Sequence, residues 1–570
     1  MIGRRKLVTA FAASMVCVLT GAGSYPVWAG PDGEGGKKSV TLEEIKKLRK
    51  KAAHRERRLV MHSDGISWKS SILGYMPGTH TDSTTYSLIH QFNLARYYRT
   101  EVAQPSPKGY IKENYGRDGK DGLQTYIDFC RENGYDAIWA MRMNDTHDAG
   151  SQPKYRKRFA DNKFKQKYSD FLVAKKKHAS PKSADKTWSV DDFNPTPHGR
   201  WTSVDYSQER VREQAFRIWE EVCRNYEIDG LMFDFFRHLT LFRSTAHGSP
   251  ASKSEVEAMT DLMRRTRRMA DEAGAARGRP ILLIVRTPDL PEYARALGID
   301  IERWMKEGLI DVWIATGYFR LQEWEDIVEL ARKYDIPIWA SMSESRVEPT
   351  GTHNSIEIYR ARAMNMWDAG VDSIYLFNFG FRTRPQFRFL FEIGDPEKLA
   401  YLDKMYVPDA RGTGGWAGPG YWLKGGDRYR KRPTSLPKVF GKGSPEAVIK
   451  IRVGDDLPAL KAKGFGVYMP LHLQFKDVSA SDMDTLSVKF GGKELTWVGG
   501  GLKENMVIYE LGTEVKKGQN TIEISYKTDT DRKLTLTQIQ LWIKPEYGGT
   551  SFEEIDRVRY KENDRYPYRR

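Results

Sequence analysis

The segment IDGLMFDFFRH (228–238) sets two aspartates, an arginine and a histidine around a short apolar run. Side-chain alternation along LMFDFF puts Asp234 at the end of a strand, with Arg237 and His238 just beyond it. Asp229 precedes the strand, where a carboxylate caps or turns the chain. Polar clusters close six other apolar runs in the same way. RLVMHSDG (58–65) ends in His62 and Asp64. YDAIWAMRMND (135–145) ends in Arg142, Asn144 and Asp145, with His147 following. PILLIVRTPD (280–289) ends in Arg286 and Asp289, IDVWIATGYF (310–319) in Tyr318, IPIWASMSES (336–345) in Glu344 with Arg346 beyond, and VDSIYLFNFG (371–380) in Asn378.

Carboxyl groups gathered in this way suit glycoside hydrolysis, which needs one protonated carboxyl as acid and a second as nucleophile or base. Asp234 is the expected nucleophile or base. Glu344, the only glutamate at a clear strand end, is the expected acid, since burial raises such a pKa. Asp145 is the alternative second carboxylate. His62, Asp64, Arg142, Asn144, His147, Arg237, His238, Arg286, Tyr318 and Asn378 are expected to hold the sugar. Structural roles compete with each of these. Asp234 would also serve as ion-pair partner of Arg142 or Arg286, and Glu344 as a rim partner of Arg346. The arginines would either grip sulfate or carboxylate groups or orient Asp145, Asp234 and Asp289. Trp188, Trp201, Tyr206, Tyr318 and Phe379 are candidates to stack on sugar rings, whereas Trp313, inside a strand, reads as core. His62, Asp64, Asp145 and His147 would suit zinc or manganese, but no H-x-x-x-H or H-x-H pair anchors them, and neither a metal nor a cofactor is expected.

Positioning so many strand ends on one face requires a barrel. Helical patterns at 121–133, 207–226, 253–276, 290–307, 321–334 and 354–369 separate the apolar runs. Several runs are apolar on both faces, as strands buried between a barrel interior and a helix layer must be. This predicts a (β/α)8 TIM barrel over 58–408, with chemistry at the C-terminal ends of its strands. Seven strands are clear, and the eighth is expected near 401–407 or as a degenerate segment. A Gly/Pro/aromatic stretch within 409–437 reads as a linker or wrapping loop. Residues 438–547 then alternate with turn signals, as in an antiparallel β-sandwich. The sandwich shows no cluster of exposed aromatics, which favours a structural role. Residues 30–57 form a linker and a helix, with Thr41 as N-cap and Glu44 closing a capping box, and 548–570 form a charged tail.

Residues 1–29 read as an export signal: Arg4, Arg5 and Lys6, an apolar run to about Gly21, and a cleavage site at Val27-Trp28-Ala29. The run is shorter than the roughly 20 residues of a membrane span, and stable membrane insertion is not expected. The chain of 570 residues has a net charge of +16 and three cysteines. Cys130 and Cys223, in helical patterns, read as small buried thiols rather than a disulfide framework. A basic exported protein without a nucleic-acid motif most economically meets a polysaccharide, plausibly sulfated or uronic.

The stretch WTSVDYSQERVREQAFRIWEEVCRNYEIDGLMFDFFRH (201–238) is the most specific. Its helix leads into D-x-x-x-x-D-x-x-R and resembles the glycosyl-hydrolase-like proteins related to family 10. RMNDTHD, VRTPD and YLFNF extend the resemblance across about 58–408. It implies a carbohydrate-active barrel in which Asp234 matches the family's strand-end aspartate. The leading expectation is therefore a secreted glycoside hydrolase acting on a polysaccharide. Two alternatives stay open: a glycan-binding barrel without catalysis, and a metal-dependent deacetylase or esterase.

Overall fold

The computed structural model of the chain describes residues 39–64, 79–105, 119–149, 153–174, 201–317, 319–343, 355–378, 388–408, 418–432, 436–499, 501–547 and 550–551. Eight parallel strands follow one another around a closed ring: β1 (Leu59–Ser63), β2 (Thr81–His90), β3 (Asp136–Arg142), β4 (Gly230–Asp234), β5 (Leu282–Thr287), β6 (Val312–Ala315), β7 (Ile338–Ser343) and β8 (Ser373–Phe377). Strand β8 pairs back onto β1, and β1 onto β2, so no edge is left open. The helices between them include α2 (Gly122–Glu132), α3 (Glu209–Asn225), α4 (Lys253–Arg277), α5 (Pro291–Ala296), α6 (Ile301–Lys306), α7 (Trp324–Lys333) and α8 (Ile356–Asp368), after an N-terminal α1 (Leu42–Ala53). Thr41 and Glu44 close the expected capping box on α1.

The eighth strand is not near 401–407. It is β2, second in the ring, and its sequence, TDSTTYSLIH, is not an apolar run. Thr85 and Ser87 bond the ring of His62, so polar side chains of this strand meet another polar side chain inside the barrel. Lys404–Tyr406 instead pairs antiparallel with a long strand of the sandwich.

Alternation along each strand divides the core. Val60, Ile138, Ala140, Met232, Ile284, Ile314, Trp339 and Tyr375 belong to one buried cluster, while Trp139, Leu231, Phe233, Val285 and Trp313 join the helix-side cluster. Trp219 of α3 meets Phe233 edge-on at 4.8 Å between ring centroids. Trp313 is core, as expected. At the N-terminal end, Arg57 lies over Trp339 and donates to Asp136 at 2.6 Å. Asp229 is also there, accepting from Arg131, Arg279 and the Ala137 N–H, which matches its expected capping role. Cys130 and Cys223 are free buried thiols.

The sandwich comprises β9 (Lys404–Tyr406), β10 (Lys438–Phe440), β11 (Ala447–Val453), β12 (Gly466–Tyr468), β13 (Pro470–Phe475), β14 (Leu486–Phe490), β15 (Lys493–Glu494), β16 (Met506–Glu510), β17 (Gly518–Tyr526), β18 (Leu534–Tyr547) and β19 (Thr550–Ser551). Strands β11, β17, β14 and β15 form one sheet, and β18 organises the other. Ile449, Leu471, Val488, Ile522 and Leu541 fill the space between them. Helix α8 of the barrel meets this domain through Asp368, which pairs with Arg452 and Lys517. Segment 418–432 lies against the barrel: Tyr421, Trp422 and Leu423 join its interior cluster, and Tyr293 donates to the Pro419 carbonyl at 2.8 Å. Among the described residues, no helix is long and apolar enough to cross a membrane.

Lys404 and Asp455, both fully buried, face each other at 3.2 Å, and Asp455 also accepts from Tyr406. Removing one member of a buried pair strands the other's charge. Lys404→Met is expected to destabilise the protein by about 3–5 kcal/mol, read from the urea midpoint, and the additional change Asp455→Leu should recover much of the loss.

Candidate functional site

The strand ends converge as the sequence predicts, and Asp64 is the hub. Its Oδ1 meets Arg142 Nη2 at 2.5 Å, while Oδ2 accepts from Arg237 at 3.1 Å and from Asn378 Nδ2 at 2.9 Å. Residues at the ends of β3, β4 and β8 thus close on one carboxylate that follows β1. Burial works to raise its pKa, but Arg142 and Arg237 outweigh burial and hold it well below the usual carboxylate range. Its side chain is 36% exposed, so this anion faces the mouth.

Arg142, buried, also donates to Asp145 Oδ2 at 2.7 Å. Asp145 is fully buried and accepts from Gln91 Nε2 at 3.0 Å, from the His147 N–H at 3.0 Å and from His147 Nδ1. Burial opposes ionisation, yet His147 and Arg142 keep this carboxyl well below its ordinary range. Both oxygens are engaged, which suits Asp145 to orienting His147 and Arg142 rather than exchanging a proton with a ligand. His147 is 37% exposed, and its ring stands edge-on to that of His238 at 5.1 Å. His238 accepts from the Thr146 N–H at 3.3 Å, and burial holds its pKa well below the usual histidine value. The loop is anchored by Asp148, a fully buried carboxylate on Lys165 at 2.8 Å and Thr202 at 2.6 Å.

Asp234 lies deeper and is fully buried. Its Oδ1 accepts from Arg286 Nη1 at 3.0 Å, and its Oδ2 accepts no hydrogen bond among the described residues. Arg286 lies 3.8 Å over the Phe377 ring, on whose plane His62 also stacks at 5.2 Å. His62 has both ring nitrogens on hydroxyls of β2, Thr85 at 2.6 Å and Ser87 at 3.2 Å, and burial lowers its pKa. Gly317 closes this floor. A Cβ there would fall 1.7 Å from Phe236 and 2.6 Å from Arg286, so no larger residue fits without displacing the Phe236 ring and then the arginine. Three strand ends carry left-handed backbone: Gln91, at φ 45°, Thr316, at φ 68°, and Asn378, at φ 51°. For a β-branched residue this is strained, a feature concentrated at functional sites.

Other expected residues are placed differently. Asn144 is buried, and its amide is consumed by the backbone of Val204 and Thr240, so it ties loops together beneath the mouth. Tyr206 and Trp201 are buried and bond the Met143 and Ala149 carbonyls, which removes them as stacking platforms. Arg142, Arg237 and Arg286 meet Asp64, Asp145 and Asp234, with Asp64 rather than Asp289 as a partner. Tyr318, Glu344, Trp188 and Phe379 lie outside the described residues. His90 and Gln91, at the end of the overlooked β2, were missed: His90 sits 3.8 Å from Asp145 and bonds the Asp64 carbonyl at 3.0 Å.

Asp289, fully buried, accepts from the N–H groups of Leu321 and Gln322. Burial pushes its pKa up to about 6. A carboxyl raised from an unfolded value of about 3.9 binds its proton more tightly when folded. Its contribution is therefore fully present below about pH 4 and is lost as pH rises to about 6. Asp289→Asn, which cannot ionise, should gain stability relative to the native chain across that interval and stay level above it, as read by urea unfolding at several pH values.

Among the described residues, Asp145, His147 and His238 form one group that could hold a metal ion, each offering an atom within 4.8 Å of the other two. His62 does not belong to it.

No family model matches the chain, and no curated protein sequence matches it. Solved structures that resemble it include a GH36 α-galactosidase from Geobacillus stearothermophilus (11% identity, TM-score 0.34, covering 83% of this chain and 56% of that one). A family 18 N-acetylglucosaminidase from Paenibacillus barengoltzii shares 12% identity at TM-score 0.34, over 58% of this chain and 98% of that one. A family GH18 chitinase from Chromobacterium violaceum shares 10% identity at TM-score 0.34, over 88% and 91%. The chain thus spans little more than half the length of the α-galactosidase. The strand order itself defines the class: a (β/α)8 barrel with a charged mouth and a C-terminal β-sandwich.

Proposed function

We propose that the chain is an exported glycoside hydrolase that cleaves a polysaccharide in the barrel mouth. The observation that carries this reading is the Asp234 carboxylate, fully buried at a strand end with Oδ2 unpartnered among the described residues. A buried carboxylate oxygen left without a donor is costly, and such groups are retained where a ligand or a reaction uses them. Asp234 acts as nucleophile or base. Glu344, which follows Ser343 of β7 in the chain, is the acid. Asp64, Arg142, Arg237, His147, His238 and Asn378 bind the sugar, with Arg286 orienting Asp234 and His62 supporting the floor. The three described mouth arginines face three aspartates, so preference for an anionic chain rests on the net charge of +16.

The test is reducing-end release from a panel of neutral, uronic and sulfated polysaccharides, with Glu344→Gln alongside. Products from at least one polysaccharide, reduced about 100-fold or more in the variant, are expected for loss of a general acid. Binding without products across the panel would instead make this a glycan-binding barrel.

A further inference from the structure

Two imidazoles stand side by side at the rim, and each has one ring nitrogen fixed by a neighbour of opposite character. His147 Nδ1 faces Asp145 Oδ1, a carboxylate oxygen that only accepts, so Nδ1 carries a proton. His238 Nδ1 faces the backbone N–H of Thr146 at 3.3 Å, a group that only donates, so this nitrogen is bare and the ring's proton sits on Nε2. The two neighbours are consecutive residues of one loop, and Lys165 bonds the Asp145 carbonyl at 3.3 Å. Asp145 is fixed by Arg142 and Gln91, and the loop carrying Thr146 by the buried Asp148–Lys165 pair.

We infer that His147 and His238 hold opposite tautomers and work as a pair, His147 Nε2 accepting from one ligand hydroxyl and His238 Nε2–H donating to its neighbour. A hydroxyl can both donate and accept, so adjacent hydroxyls of one sugar satisfy both rings at once. The ring centroids are 5.1 Å apart, close enough for one ligand to meet both rings. The ligand class, a polyol with vicinal hydroxyls, rests on the carbohydrate reading above; the tautomers do not. The same arrangement disfavours a metal held by both rings. A ligating imidazole keeps its second nitrogen protonated and donating, whereas His238 offers its second nitrogen to an N–H.

The experiment is long-range 1H–15N NMR of the full chain labelled at its 11 histidines, without ligand at neutral pH. Resonances are assigned by His147→Gln and His238→Gln, or by the Asn variants should either fail to fold. The expected result is a proton on Nδ1 of His147 and on Nε2 of His238. Zinc chloride should leave both rings unchanged. Methyl glycosides with adjacent cis hydroxyls, at their solubility limit, should shift the Nε2 signals of both. Matching tautomers, a doubly protonated His147, or metal-induced shifts of both rings at micromolar zinc would overturn the pair. So would failure of every methyl glycoside to move either signal. Opposite tautomers in a protein that cleaves no polysaccharide would sink the hydrolase reading and leave the pair standing. Cleavage with matching tautomers would do the reverse.

Discussion

Asp234→Asn is expected to lower polysaccharide hydrolysis by about 1000-fold, within the range for loss of a positioned acid–base group. The amide keeps the shape and can still accept from Arg286, but it can neither attack an anomeric carbon nor take a proton from water. The same change should cost about 3 kcal/mol of stability, because it leaves the fully buried Arg286 guanidinium without a counter-charge. Contact with the Phe377 face, 3.8 Å away, offsets part of that loss. Urea unfolding and steady-state rates separate the two effects. A variant that loses stability and keeps its turnover would assign Asp234 to barrel support alone.

The second large effect belongs to Arg142. Arg142→Met removes the cation that Asp64 and Asp145 share. Asp145 is fully buried, and a buried carboxylate stripped of its partner costs about 3–5 kcal/mol. Both carboxyls are held below their ordinary range, with burial opposing and Arg142 among the groups that outweigh it. The sign follows. A depressed carboxyl contributes stability above its unfolded pKa of about 4 and loses it as pH falls through the folded value. The penalty of Arg142→Met should therefore be largest at neutral pH and shrink in acid, as measured by urea midpoints from pH 7 downward. A penalty independent of pH would mean that packing, not charge, is what Arg142 supplies.

The barrel was legible in the sequence wherever a strand is apolar on both faces. LMFDFF and ILLIVR announce themselves because one face packs on helices and the other fills the interior. TDSTTYSLIH does not, because Thr85 and Ser87 meet His62 instead of a methyl group. Its β-branched threonines, with Tyr86, Leu88 and Ile89, were the available signal. With β2 went His90 and Gln91, whose contacts with Asp145 depend on a strand that hydropathy does not mark. The charged mouth was legible as a set of residue types, since every barrel places its strand ends together. Which arginine meets which aspartate was not, because pairing depends on side-chain reach across neighbouring strands. Asn144 shows the same limit: its sequence context matches a sugar-binding residue, and only the fold reveals the two carbonyls that occupy its amide.

Rescue of Asp234→Ala by azide tests the catalytic role of Asp234 most directly. Removing the carboxylate leaves room for a small external nucleophile at the same place. On a polysaccharide that the native chain cleaves, the variant should be nearly inactive. Added azide should then restore turnover and appear in the product as a glycosyl azide by mass spectrometry. Undiminished cleavage by Asp234→Ala, or a silent variant in which azide neither restores turnover nor enters the product, would contradict the role assigned to Asp234.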